Sequence, residues 1–252
     1  MTGLHIGTSG WSYDHWEGVL YPPGLPTAKR RGVYVEHFDT VELNASFYRW
    51  PREQTFETWN RDLPPGFVMS VKAPRGLTHA RRLREPGPWI DRLTKAWHAL
   101  RDRRGVLLVQ LHPAHERDDE RLDTFLSLLP DWMRVAVEFR HPSWHVEEVM
   151  QVLERHGAAY VVMSGANLPC VLRATAPFVY VRLHGPSDQA LYAGSYSDAD
   201  LRWWAERIRE WQAQDREVFA YFNNDGEGHA VVNADTLRTL LGQRVPDGDA
   251  RS

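Results

Sequence analysis

The sequence contains almost no cysteine, no long apolar run and no large excess of either charge. Cys170 is the only cysteine among 252 residues, so an intrachain disulfide is excluded and a reducing compartment is expected. No apolar stretch approaches the roughly 18 residues that a membrane-spanning helix needs, and no signal peptide precedes the first strand-like segment. These absences predict a cytoplasmic protein without a membrane partner.

The charge balance is close to neutral, with a formal net charge of −3. A general polyanion-binding protein is typically far more basic, so nucleic acid is an unfavoured partner. Short basic runs at 29–31, 80–84 and 101–104 are interpreted as solvated helix faces and loops, with a local phosphate-binding patch as the alternative. Aromatic residues, in contrast, are abundant, since the chain has 11 tryptophans.

Eight segments rich in Val, Ile, Leu, Phe and Tyr have the length and flanking residues of β-strands. Helical patterns lie between most of them, and the last helix is expected to begin near Asn233. Eight alternations of strand and helix in about 250 residues predict a single (β/α)₈ TIM barrel. A doubly wound open sheet is the alternative, usually with fewer strands. The predicted strands cover 4–9, 40–45, 67–73, 105–112, 134–140, 158–164, 178–184 and 217–223.

Two further expectations concern the organisation of the chain. The segment between strands six and seven is short and bounded by prolines, so its helix is expected to be reduced. No linker and no internal repeat interrupts the pattern. We therefore predict one barrel domain over residues 1–242, followed by a polar C-terminal tail over residues 243–252.

Polar side chains recur in one register near the carboxyl ends of six of these segments. Side chains two apart on a strand share a face, and barrel active sites are built at the carboxyl ends of the strands. The register therefore predicts a polar pocket, the alternative being strand-end residues that point into solvent. The pairs are Glu42 and Asn44, Ser70 and Lys72, Gln110 and His112, Glu138 and Arg140, Arg182 and His184, and Tyr221 and Asn223.

Two carboxylates and two arginines in this register indicate an acid–base site for an anion. Glu42 and Glu138 are candidates for general acid and general base. Arg140 and Arg182 carry the planar guanidinium that recognises carboxylate or phosphate through two hydrogen bonds. The alternative is structural: each carboxylate neutralises a buried cation, as Glu138 would with Arg182.

Lys72 and His184 complete the predicted catalytic set. Lys72 is interpreted as an electrostatic clamp, with an amine nucleophile as the alternative if it is desolvated. His184 is the candidate proton carrier, with a hydrogen-bonded structural histidine as the alternative. No cofactor is predicted, and a divalent metal held by Glu42, Glu138 and His184 is the weaker alternative.

Loops that follow the strands supply further candidates for substrate binding. Aromatic residues on these loops are expected to wall the pocket and stack on a ligand, with packing of the loops over the barrel as the alternative. A glycine-rich turn after the eighth strand suits an anion, although a plain turn of Asn, Asp and Gly explains it equally. The predicted substrate-binding residues are Trp11, Tyr13, Asn44, Tyr48, Gln110, Arg140, Trp144, Arg182, Asn223 and Asn224.

Seven motifs follow one another along nearly the whole chain. They read "IGTSGWSYDHWEGVLYP", "VELNASFYRWP", "FVMSVKAPRGLTH", "LLVQLHP", "VAVEFRHPSW", "YVRLHG" and "YFNND". In this order they resemble the motifs of the YecE-like proteins, the domain-of-unknown-function family numbered seventy-two. The resemblance implies a TIM barrel and no defined activity, since none is established for the family. "QLHP" departs from the family pattern, which more often has proline directly after the leucine, so His112 receives no catalytic role.

The sequence therefore predicts an enzyme that acts on a small polar anion such as a sugar phosphate or a sugar acid. Acid–base chemistry of this kind is typical of an isomerase, a lyase or a hydrolase. Barrels host many unrelated chemistries, and two alternatives stay open: a barrel that binds or processes nucleic acid, and a barrel that binds a metabolite without turnover. The predicted catalytic residues are Glu42, Lys72, Glu138 and His184.

Overall fold

Strands and helices alternate along most of residues 3–187 and 190–243, which are the residues that the computed structural model describes. Eight parallel strands form one sheet in the order β1-β8-β7-β6-β5-β4-β3-β2, the strand order of a (β/α)₈ barrel. The predicted TIM-barrel fold is thereby confirmed. The strands are β1 (Leu4–Thr8), β2 (Thr40–Leu43), β3 (Val68–Lys72), β4 (Arg104–Gln110), β5 (Val135–Glu138), β6 (Ala159–Ser164), β7 (Phe178–Leu183) and β8 (Glu217–Phe222).

The helices follow the expected amphipathic segments, with two additions. Helices α1 and α2 lie in segments where no helix was predicted. The described α-helices are α1 (Thr27–His37), α2 (Ala45–Tyr48), α3 (Glu53–Asp62), α4 (Gly87–Trp97), α5 (Asp119–Ser127), α6 (Glu147–Arg155), α7 (Asp198–Gln212) and α8 (His229–Leu240).

Helix α8 begins at His229, four residues before the predicted start near Asn233, so that prediction was wrong. Gly228 precedes the helix in the left-handed conformation, with φ of 79°, which glycine adopts without steric cost. Ala230 and Val231 in the first turn are buried. Because Val231 and Val232 are β-branched, the sequence alone gave no helical signal over this turn.

No helix occurs in residues 165–177, between β6 and β7. The segment instead hydrogen-bonds to the start of β6, because the Thr175 hydroxyl donates to the Ala158 carbonyl at 2.7 Å and accepts from the Tyr160 N–H at 2.8 Å. The reduced helix that was predicted here is thus absent altogether, and one threonine side chain satisfies the backbone groups that it contacts.

Two compact units divide the chain by its contacts. Unit 1 consists of Met1–Val41, Met163–Pro169 and Val181–Ser252, and unit 2 of Glu42–Val162 and Cys170–Tyr180. Each has its own apolar core, which includes Ile6, Tyr34, Leu183 and Phe219 in unit 1, and Val71, Leu107, Val137 and Phe139 in unit 2. The single domain over residues 1–242 stays a prediction, and residues 244–252 of the predicted tail lie outside the described residues.

Each unit holds the carboxyl ends of different strands, which decides where the candidate residues lie. Unit 2 contains the ends of β2, β3, β4 and β5, whereas unit 1 contains the ends of β1, β6, β7 and β8. Along the described chain, no helix is long and apolar enough to cross a membrane.

We predict that the same substitution has opposite effects at two glycines of unit 1. A Cβ at Gly7 on β1 would lie 2.6 Å from the Thr40 carbonyl oxygen, whereas a Cβ at Gly32 on α1 meets no atom within 4 Å. Gly7→Ala should therefore lower the free energy of unfolding by about 1–3 kcal/mol, and Gly32→Ala should raise it by about 0.5–1 kcal/mol. Urea denaturation measures both, and changes of the same sign would contradict the close approach of β1 to Thr40.

Candidate functional site

Most of the polar residues at the carboxyl ends of the strands are buried, whereas Asn44, Lys72, His112 and Arg140 are half-buried. Solvent-exposed strand ends were the alternative to a polar pocket, and that alternative is wrong for the buried ones. A buried polar group is costly unless the protein provides hydrogen-bond partners, so the partners of each side chain indicate what it does. The side chains at 0% exposure are Glu42, Ser70, Glu138, Arg182 and His184, and those at 8% are Gln110 and Asn223.

Glu138 is the centre of the charged contacts in unit 2. Its Oε1 accepts a hydrogen bond from Gln110 Nε2 at 2.6 Å and forms an ion pair with Arg140 through both Nε and an NH₂ group. Gln110 and Glu138 are register partners on the adjacent strands β4 and β5, so strand pairing itself sets this contact. The structural salt bridge that the sequence left open for Glu138 is therefore present, and Arg140 is one partner in it.

Glu42, the second candidate carboxylate of unit 2, has a different environment. Its Oε2 accepts a hydrogen bond from the Tyr180 hydroxyl at 2.7 Å. Asn44, just beyond the end of β2, is half-buried, and its side-chain oxygen has no hydrogen-bond partner among the described residues. The proton-transfer role of Glu42 stays a prediction.

Cationic and imidazole side chains gather beside the Glu138–Arg140 pair, at the ends of β3 and β4. The ring centroid of His79 lies 5.1 Å from that of His112 and 4.9 Å from that of Phe47. The Lys72 ammonium lies 4.5 Å from the centroid of the Phe47 ring, a cation–π contact. We call Lys72, Arg75, His79, His112 and Arg140 the basic cluster.

Burial, and after it electrostatic interaction with the other four members of the basic cluster, lower the pKa of His79 to about 4. Its imidazole is therefore neutral at pH 7, because desolvation and like charges both disfavour the protonated form. The lowered pKa reflects burial first and the neighbouring cations second.

The hydrogen bonds of the two histidines bear on their tautomers. The Ala114 N–H donates to His112 Nδ1 at 3.0 Å, so Nε2 of a neutral His112 ring is a donor. The Thr78 hydroxyl lies 3.2 Å from the Pro74 carbonyl oxygen and 3.0 Å from His79 Nδ1. When this hydroxyl donates to the carbonyl, it accepts from His79 Nδ1, and Nε2 of the neutral His79 ring is then an acceptor.

The chain positions His79 through a single π-helical turn, Gly76–Ala80, which begins four residues after β3 ends. Leu77 and Thr78 in this turn are buried, which anchors it against the core. Such π-turns are rare and occur frequently at functional sites.

A cleft of about 620 Å³ borders the basic cluster within unit 2. None of the described residues that line it is an aspartate or a glutamate. Its cationic and imidazole lining consists of Arg49, Arg75, Arg92, His79 and His112, and its aromatic lining of Phe47, Tyr48, Trp50 and Trp89.

In unit 1, the candidate residues of β7 and β8 contact one another or the loop after β1. An Arg182 NH₂ group donates to the Ser9 hydroxyl at 3.3 Å. His184 Nδ1 lies 3.2 Å from the Asn223 side-chain nitrogen and accepts from it, because an amide nitrogen can only donate. The hydrogen-bonded histidine that the sequence kept as an alternative is thus present, and a role of His184 in proton transfer stays a prediction.

Several predicted loop residues pack or bond within the protein. Trp144 is buried, stacks on Phe139 at 4.8 Å between ring centroids, and donates its indole N–H to the His115 carbonyl. Tyr13 donates its hydroxyl to the Ser9 carbonyl at 2.7 Å. Asn224 donates its side-chain amide to the carbonyl of Gly194 and to the side-chain oxygen of Asn233. These contacts correspond to the structural alternatives for these residues.

Trp11 and Tyr48 differ in exposure. Trp11 is half-buried, its ring centroid lies 6.2 Å from that of Tyr34, and its carbonyl accepts a hydrogen bond from the Tyr21 hydroxyl. Tyr48 is 81% exposed at the edge of the cleft. Of the predicted aromatic residues, Tyr48 is therefore the most exposed.

The residues of the cleft and the basic cluster that sequence reasoning missed include Arg49, Arg75, His79, Trp89 and Arg92. A signal existed, because the stretch "APRGLTHARRLR" directly follows β3 and is dense in cations. The interpretation of basic runs as solvated was also wrong at Arg30, which is buried and pairs with Asp14 at 2.7 Å.

No group of three or more His, Cys, Asp or Glu side chains that could hold a metal ion occurs within residues 3–187 and 190–243. The divalent-metal alternative stays a prediction.

The strand order defines a TIM-barrel-like protein, and the carboxyl ends of its strands carry buried polar side chains. The sequence model of the family described as "Protein of unknown function DUF72" matches residues 5–251, and the chain belongs to this family. The resemblance to the YecE-like proteins is thereby confirmed.

Relatives and solved structures agree with this assignment. The UPF0759 protein YunF of Bacillus subtilis is 28% identical over 94% of this chain and 94% of its own length. The UPF0759 protein YecE of Escherichia coli K12 is 27% identical over 60% of this chain and 54% of its own length. The crystal structure of a DUF72 family protein from Thermotoga maritima has a TM-score of 0.86 at 30% identity, over 95% of this chain and 99% of that one. One from Enterococcus faecalis, at 17% identity, has a TM-score of 0.83 over 95% of each chain, and supports the fold alone.

We predict that two substitutions shift two histidine pKa values independently. Burial and the charge of Arg121 lower the pKa of His115 to about 4, whereas Lys72 contributes to the lowered pKa of His79. Lys72→Met should therefore raise the pKa of His79 towards 6.5 and leave that of His115 unchanged. Arg121→Gln should raise the pKa of His115 and leave that of His79 unchanged. Histidine titration by NMR measures both, and a Lys72→Met protein with an unchanged His79 would contradict the basic cluster.

Proposed function

We propose that this protein is an enzyme that binds a small polar anion, of the sugar phosphate or sugar acid class, at the basic cluster of unit 2. The single observation that carries the proposal is the convergence of Lys72, Arg75 and Arg140 on the imidazole of His79, which packs against the rings of Phe47 and His112. Positive charges held together in a partly desolvated site repel one another. A bound anion would offset that repulsion, and the relief of the repulsion would favour binding.

The arginines that line the adjoining cleft also favour an anionic ligand. Arg49, Arg75 and Arg92 form no ion pair within the described parts of the chain. A guanidinium without a carboxylate partner presents its donors to a ligand, and its fork geometry matches carboxylate or phosphate oxygens. Arg140 is instead held by Glu138, so we assign to Glu138 the positioning of Arg140.

The two histidines would supply a base and a hydrogen-bond donor. His79 Nε2 would accept a proton from the bound substrate, and the N–H at His112 Nε2 would donate a hydrogen bond to it. Anion binding would also raise the pKa of His79 from about 4, because the negative charge offsets the cations that lower it. Substrate charge thereby makes His79 a stronger base. Lys72 would act as the electrostatic clamp, whereas the catalytic roles predicted for Glu42 and His184 are not needed for this step.

Anion binding is tested by thermal shift with inorganic phosphate, sugar phosphates and sugar acids. A ligand at about 100 times its Kd stabilises the folded protein by about 2.7 kcal/mol, which raises Tm by about 5–10 °C for a chain of this size. Lys72→Met and Arg75→Gln should reduce this shift, whereas Arg121→Gln, which removes a cation from α5, should retain it. The proposal fails if no anion stabilises the wild type, or if all three variants respond alike.

Turnover is tested separately with the anion that binds best. The expected result is a new product by NMR with the wild type, and a kcat lowered about 10²- to 10⁴-fold in His79→Gln with little change in anion affinity. The control is the same substitution at His156, a half-buried histidine that follows α6 and pairs with Asp123. An anion that binds but is never transformed would contradict the enzymatic part and favour a metabolite-binding barrel.

A further inference from the structure

The cleft beside the basic cluster combines two kinds of lining that a simple sugar phosphate would use only in part. Arg49, Arg75 and Arg92 offer charge, and four aromatic side chains offer flat apolar surface. The volume of about 620 Å³ lies within the usual range of small-molecule sites. A phosphate and a sugar would occupy the arginines and leave the aromatic faces in water.

The exposure of Tyr48 is the clearest sign that the cleft takes a ligand with a planar ring. It is 81% exposed, although it lies on the four-residue helix α2 directly after the end of β2. Its ring meets Phe47 edge to face at 5.1 Å between centroids, so one contact orients it and most of its surface stays open. An exposed aromatic residue at the edge of a cationic cleft is suited to stack on a planar ligand.

Trp89 forms another wall of the cleft, and the sequence makes specific room for it. A Cβ at Gly76 would lie 2.2 Å from the Trp89 ring, so the π-turn and the indole can be in contact only because residue 76 is glycine. The wall is therefore built into the fold before any ligand arrives, which lowers the entropic cost of binding.

A second cleft of about 350 Å³ continues from the first and shares His79 and Ala80 with it. Its other lining residues are Arg81, Arg82 and Arg84. Arg82 and Leu83 adopt left-handed conformations, with φ of 49° and 61°, which are unfavourable for residues other than glycine. The second cleft is therefore bordered by a basic loop whose backbone is strained at Arg82 and Leu83.

We infer that the cleft binds a nucleoside phosphate, whose base stacks on Tyr48 and Trp89 while its phosphate pairs with Arg75 and Arg92. This inference rests on the proposed function, because a nucleoside phosphate is a sugar phosphate that carries a base, and His79 and His112 border both sites. It adds the planar ring as the feature that the protein recognises.

The test is isothermal titration of the full chain with ribose 5-phosphate and with the 5′-monophosphates of adenosine, guanosine, cytidine and uridine. At least one nucleotide should bind at least about 10-fold more tightly than ribose 5-phosphate. A gain of this size is what stacking of one base on an aromatic ring provides. If ribose 5-phosphate binds and no nucleotide binds more tightly, this inference fails while the proposed function stands. If neither ribose 5-phosphate nor inorganic phosphate binds, both fail.

Variants separate the ring from the phosphate. Tyr48→Ala and Trp89→Leu should reduce nucleotide affinity to that of ribose 5-phosphate and leave the affinity for ribose 5-phosphate unchanged. Arg75→Gln combined with Arg92→Gln should weaken both ligands. The matched control is Trp203→Leu, a surface tryptophan on α7 in unit 1, which should alter neither. Nucleotide preference that survives both aromatic substitutions would overturn the inference.

A single-stranded oligonucleotide distinguishes a nucleotide site from a nucleic-acid groove. A 15-nucleotide deoxythymidine strand should bind no more than about 10-fold more tightly than thymidine 5′-monophosphate. A strand that binds 100-fold more tightly, with an affinity that falls steeply as salt is raised, would overturn the assignment to a nucleoside phosphate.

Discussion

The buried ion pair of Glu138 with Arg140 is the contact on which the arrangement of unit 2 depends. Glu138 is fully buried at the end of β5, where an ionised carboxylate is tolerated only if its charge and its lone pairs are compensated. Arg140 and Gln110 both donate to Oε1, so one oxygen orders a cation and the neighbouring strand end together. Arg140 is held in this way near His79, and with Lys72 and Arg75 it contributes the positive charge that lowers the pKa of that histidine.

The cleft depends on a different constraint, which is steric. The chain leaves β3 through a π-turn whose first residue, Gly76, is close enough to Trp89 to exclude any side chain. The turn also carries His79 and is followed by the strained arginine loop at 81–84. One short segment therefore contributes the neutral histidine, the glycine that makes room for Trp89, and the basic loop. A change in the backbone of this segment would affect all three.

Much of the site was predictable from pattern, and particular residues show where prediction stopped. Alternation of polar and apolar residues places Glu42, Gln110 and Glu138 at strand ends on one face, and all three are buried there. The same reasoning could not choose the partner of Glu138, because Arg140 and Arg182 have the same chemistry in the same register. It also could not find His79 or Trp89, since the π-turn and the position of α4 bring them to the strand ends from outside any strand pattern.

The sequence by itself determined the number of strands, the fold class, the family and the set of strand-end polar residues. These follow from local periodicity and from ordered motifs, which depend only on neighbouring residues along the chain. The tertiary structure decided which side chains meet: Gln110 and Arg140 on Glu138, Asn223 on His184, and Trp89 against Gly76. Those contacts join residues on separate elements, so strand register, turn geometry and the space left by a missing side chain decide them, and a linear pattern carries none of these.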